Sequence, residues 1–82
     1  MAVTFETFTR DYNEFREKLG QRSFWELPVE KRDAWFHGLG WAFIMLKATP
    51  EENERASTLF ESVTDEYARR QAYVLLHPLP PQ

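Results

Sequence analysis

The chain has 82 residues, no cysteine, 16% aromatics and a formal charge of -3. That length holds one domain, and the lack of cysteine excludes a disulfide framework and thiolate metal sites while fitting a reducing compartment. A core this small must be dense, and aromatic side chains, each burying roughly 150 to 250 Å², supply the density.

The opening residues MAVTFETFTRDY contain acids and no apolar h-region, so no secretory signal is expected. The longest apolar run, Leu39 to Leu46, is far short of the roughly 20 residues of a membrane span. These features predict a soluble, cytoplasmic protein with no membrane association.

Thr4 can cap a first helix, with Glu6 in its first turn and Val3 placed to staple onto Phe8. Phe5, Phe8, Tyr12, Phe15 and Leu19 then recur at steps of three and four, a narrow apolar stripe that predicts a helix over 5–19. Glu14 and Lys18 stand in the i,i+4 orientation of an ion pair, and Gly20 supplies the stop. In the connection, Ser23 followed by Glu26 reads as a capping box that would fix Phe24 and Trp25. Trp25 is then either a contact for a partner or a lid folded onto the bundle end.

A second helix is expected over 29–48, with Pro28 at its first turn. It holds the stretch AWFHGLGWAFIMLKA, residues 34–48, expected to be the core around which the chain is organised. Trp35, Leu39, Ala42, Phe43 and Leu46 lie on one face and Ala34, Gly38, Trp41 and Met45 on the other, the pattern of a sandwiched helix. Gly38 and Gly40 weaken a helix interior, which suggests close approach of another backbone.

Thr49-Pro50-Glu51-Glu52 combines an N-cap threonine, proline at N1 and a capping box, and predicts a third helix over 50–76, ended by His77-Pro78. The near absence of a loop makes the second and third helices an antiparallel hairpin. The fold expected is an all-α three-helix bundle over 1–77, with an extended tail over 78–82. That tail, PLPPQ, has a PxxP spacing suited to an aromatic groove, though a frayed terminus explains it as well.

Motifs for chemistry are missing. Asp33 and His37 stand four apart and can meet on one helix face, but no second histidine, nucleophile turn or Gly-rich phosphate loop accompanies them. No catalytic residue, metal site or cofactor is expected. Six acids, Glu51, Glu52, Glu54, Glu61, Asp65 and Glu66, face a single base, Arg55, across residues 51–66. Glu51, Glu54, Glu61 and Asp65 share one arc of the third helix, either a solvated back or an acidic face for a basic partner. The bases Arg16, Lys18, Arg22, Lys31 and Arg32 are interleaved with acids and form no basic stripe, so nucleic-acid binding is disfavoured.

The third helix, at about 40 Å, outruns the first, at about 23 Å. Its last part carries apolar residues on two sides, Tyr67 and Val74 on the seam and Ala68, Ala72, Leu75 and Leu76 opposite. A twofold partner would cover both, which makes Tyr67, Ala68, Ala72, Val74, Leu75, Leu76 and Trp25 the candidate interface. The function expected is a non-enzymatic interaction protein, an adaptor, regulator or phage-type inhibitor, that binds another protein and forms a homodimer. The alternative is a nucleic-acid-linked regulator, touching DNA weakly through those bases or mimicking it through the acids.

Overall fold

A computed structural model describes residues 2–77. The fold is all-α, with α1 at Phe5–Leu19, α2 at Arg22–Trp25, α3 at Val29–Ile44 and α4 at Pro50–Leu76. Four helices stand where three were expected. The addition is the single turn α2, which starts from Gln21 with no side-chain cap. Ser23 lies inside this turn and not at its N-cap, so it cannot open the expected Ser23-Glu26 box, and Glu26 accepts from Arg22 Nε at 2.9 Å.

Both long outer helices start as their caps dictate. Thr4 Oγ1 accepts from the Thr7 amide at 3.1 Å. Thr49 and Glu52 complete a reciprocal box, with Thr49 Oγ1 taking the Glu52 amide at 3.1 Å and Glu52 Oε1 taking the Thr49 amide at 3.0 Å. Gly20 ends α1 with right-handed dihedrals, so it serves as a C-cap without the left-handed turn glycine alone allows.

The second expected helix stops early, at Ile44. Leu46 leaves it to make an isolated parallel bridge with Val3, in which the Val3 amide donates to Met45 O at 3.1 Å and the Lys47 amide to Val3 O at 2.8 Å. The extended Thr49 that caps α4 must be reached from a chain already unwound, and these bonds satisfy the freed groups.

The core is organised around α1, not around residues 34–48. Phe8, Tyr12, Phe15 and Leu19 are all buried, and α1 packs against both α3 and α4 more extensively than those two pack on each other. Phe15 sits at the centre, its ring 5.9 Å from Phe24, 6.0 Å from Phe36 and 5.7 Å from Tyr67. Phe43 lies 5.9 Å from Phe8 and 4.9 Å from Phe60. Ala56, Val63 and Tyr67 complete the seam of α4. From α3 the fully buried apolar residues are only Leu39 and Ala42. Trp35, expected at the centre, is 45% exposed with Lys18 Nζ 4.3 Å from its ring centroid. Lys18 therefore stacks on an indole where the i,i+4 pattern had offered it Glu14.

Candidate functional site

The wheel of α3 explains what is left outside. Arg32, Phe36, Leu39, Ala42 and Phe43 point toward α1 and α4, so Ala34, His37, Gly38, Trp41, Ile44 and Met45 point away. Trp41 is 64% and Ile44 70% exposed, beside a half-covered Met45. A side chain added at Gly38 would meet no atom within 4 Å, so the space over this face is open. Gly40 has Phe60 Cζ at an ordinary 3.7 Å, so neither glycine is required by close approach within the chain.

A second apolar patch ends α4. Leu75 and Leu76 are 72% and 78% exposed, Tyr73 is exposed one turn before Leu76, and Ala72 and Ala68 are exposed one and two turns earlier. Of the interface expected from the sequence, these five-position surroundings keep Ala68, Ala72, Leu75 and Leu76 only. Tyr67 and Trp25 are buried and Val74 is half-buried within the monomer. Trp25 is the lid: its Nε1 donates to Leu19 O at 2.9 Å, which closes the C-terminal end of α1. Two-sided cover by a partner is thus not needed along the seam, because α1 and α2 supply it.

Beneath that lid lies a polar cluster. Arg32 is buried, and its Nη1 donates to Trp25 O at 3.0 Å and to Leu27 O at 3.1 Å, while its guanidinium carbon stands 5.3 Å from the Trp25 ring centroid. Next to it, the Tyr67 hydroxyl donates to Asp33 Oδ1 at 2.6 Å. Burial, first, and the bond to Asp33 push the Tyr67 hydroxyl up to about 12, against the opposing pull of Arg32. Asp33 accordingly does not orient His37, which is exposed beside Phe36. A donor, an acceptor and a cation gathered under an indole hold two chain segments together.

The acids Glu51, Glu54, Glu61 and Asp65 are all exposed. The bases named for DNA contact are partly taken up by the fold: Arg32 is buried, Arg16 lies 3.9 Å from Glu66, Arg22 pairs with Glu26, and Lys18 covers Trp35. Shallow clefts run between the helices. One, of about 520 Å³, separates α1 from α3 and is lined by Asp11, Glu14, Lys31, Trp35 and Gly38. Another, of about 690 Å³, lies between the α1–α2 corner and α4, with Arg22, Glu66, Arg69, Arg70 and Tyr73 on its walls. Among the described residues no cluster of three His, Cys, Asp or Glu side chains could hold a metal ion, and no helix is long and apolar enough to cross a membrane.

Two features escaped sequence reasoning. The buried role of Arg32 was signalled by its place in the series Arg32, Phe36, Leu39, Phe43, steps of four, three and four on the core face of α3. The exposure of Trp41 and Ile44 was signalled by the same series, since residues opposite it must face away unless another layer covers them.

The chain matches no family model, no curated protein and no solved structure.

Proposed function

We propose that the chain is a non-enzymatic, all-α interaction module of the adaptor, regulator or inhibitor kind, working as a homodimer that binds another protein. In this reading α3 and α4 form an antiparallel hairpin, α1 closes it, and the protein works in the cytoplasm. The observation that carries it is that, apart from Val29 and Trp35, the large exposed apolar side chains among the described residues gather at two places, Trp41, Ile44 and Met45 near the end of α3 and Tyr73, Leu75 and Leu76 at the end of α4. Clustered apolar surface of this kind is the mark of a contact site, whereas single exposed hydrophobics are ordinary. The acidic back of α4 flanks the second patch and would favour a partner with a basic rim.

Affinity capture from the native cell tests this reading when run with the parent and with Leu75→Glu/Leu76→Glu. A partner retained by the parent and lost by the variant supports it; equal retention by both removes α4 from the site. Nucleic acid held with a steep salt dependence would favour the nucleic-acid-linked alternative instead.

A further inference from the structure

We infer that the outer face of α3 is the homodimer contact, packed antiparallel against the same face of a second copy about a twofold axis between Gly38 and Trp41. This rests on the homodimer reading above and assigns it a surface. The face divides into a small half, Ala34 and Gly38, and a large half, Trp41 and Met45. Reversing the helix about the midpoint of 34–45 sets Ala34 opposite Met45 of the second copy and Gly38 opposite its Trp41, so each large side chain meets a small one. A parallel pairing would oppose Trp41 to Trp41 and leave a gap at Gly38.

Three further observations fit a second copy as the occupant. Gly38 is a liability in a helix interior, and its own chain gives no reason for it, since a Cβ there would meet nothing within 4 Å. An indole from a partner helix is a reason. The face carries no fixed charge from Ala34 to Leu46. Residues close to a twofold axis meet their own copies, so a lysine or glutamate there would be repelled by itself, and the nearest charges, Asp11, Glu14 and Lys31, stand to one side, along the cleft that borders Ala34 and Gly38. The exposed parts of Trp41, Ile44 and Met45, with the exposed Ala34, His37 and Gly38 beside them, amount to roughly 500 Å² per copy, so a pair would bury up to about 1,000 Å², the size at which a specific interface begins.

The chain has no cysteine, which permits a direct test of register. Positions 34 and 45 lie about 16 Å apart along one helix, beyond the reach of an intramolecular disulfide. Oxidised under mild conditions, the double variant Ala34→Cys/Met45→Cys should run as a covalent dimer, while Ala34→Cys and Met45→Cys alone should remain monomeric on the same gel. Both positions are exposed, and far-UV circular dichroism of each variant serves as the control that the helices persist. As a second measurement, Trp41→Glu should weaken dimerisation at least tenfold. Covalent dimer from either single variant at the yield of the double overturns the antiparallel register. If the parent sediments as a dimer but only Leu75→Cys cross-links, the contact is at the end of α4, and this inference fails while the homodimer stands. A parent that stays monomeric at high micromolar concentration overturns both.

Discussion

Tyr67 on α4 donates its phenolic proton to Asp33 Oδ1 on α3 at 2.6 Å, a bond between residues 34 apart that ties the two helices beneath the Trp25 lid. A hydrogen bond to a partly buried carboxylate contributes about 1.5 to 3 kcal/mol, so Tyr67→Phe should lower urea-unfolding stability by about that amount. Its pH dependence has a definite sign. The Tyr67 hydroxyl titrates at about 12 in the folded chain, above its ordinary value, so the stabilisation is complete below about pH 10 and is lost as pH rises toward 12. The stability difference between parent and Tyr67→Phe should therefore be constant from neutral pH to about 9 and shrink above it.

Arg32 gives a second test. Replacing it by methionine keeps the stem but leaves the Trp25 and Leu27 carbonyls without their donor. A buried acceptor left unpaired, as the Trp25 carbonyl would be, costs about 1 to 3 kcal/mol in general, the part-buried Leu27 carbonyl costs less, and the loss of contact with the Trp25 ring adds to this. Arg32→Met should destabilise by about 2 to 4 kcal/mol in chemical denaturation, whereas Lys31→Met, one residue away and exposed, should change it by less than about 0.5 kcal/mol.

The position of the core predicts an asymmetry between two sets of aromatics. Phe8→Ala and Phe15→Ala remove buried rings from α1 and should cost about 3 to 5 kcal/mol, enough to unfold so small a domain. Trp35→Ala removes a ring already half in water and should cost no more than about 1.5 kcal/mol. Thermal melts of the three variants settle the order. A Trp35→Ala melt as damaging as that of Phe15→Ala would restore 34–48 as the organising stretch.

What the sequence disclosed and what it hid follow from one physical distinction. Thr4, Gly20, Thr49 and Pro50 act through backbone groups a few residues away, so the ends of α1 and α4 could be read directly. The apolar stripe of α1 was legible for a like reason, because a single face of period 3.6 has only one way to turn inward. Residues 34–48 lacked that one-sidedness. Their hydrophobicity promised burial on both faces, but three helices in a chain of this length cover only one side of α3, and no local signal says which. Tyr67 with Asp33, and Arg32 with the Trp25 carbonyl, are pairings made by the folded arrangement, so Asp33 looked like a partner for its neighbour His37. Of the residues expected at an interface, Ala68, Ala72, Leu75 and Leu76 are the exposed ones, and the last two lie past the end of α1, which helix lengths alone could show.

The acidic back of α4 predicts tolerance. Glu54, Glu61 and Asp65 are exposed, and reversing all three to lysine changes the formal charge from -3 by two units each, to +3. Exposed charges contribute little to stability, so the triple variant should melt within a few degrees of the parent. Unchanged binding of the captured partner by this folded variant would assign the acids to solvation alone.

Sedimentation equilibrium of the parent beside Trp41→Glu, from low to high micromolar concentration, tests the central claim that the uncovered apolar face of α3 is there to be paired. The account predicts a monomer–dimer equilibrium for the parent and a folded monomer for the variant over the same range. A parent that sediments as a monomer throughout, or a variant that dimerises as strongly as the parent, would contradict it.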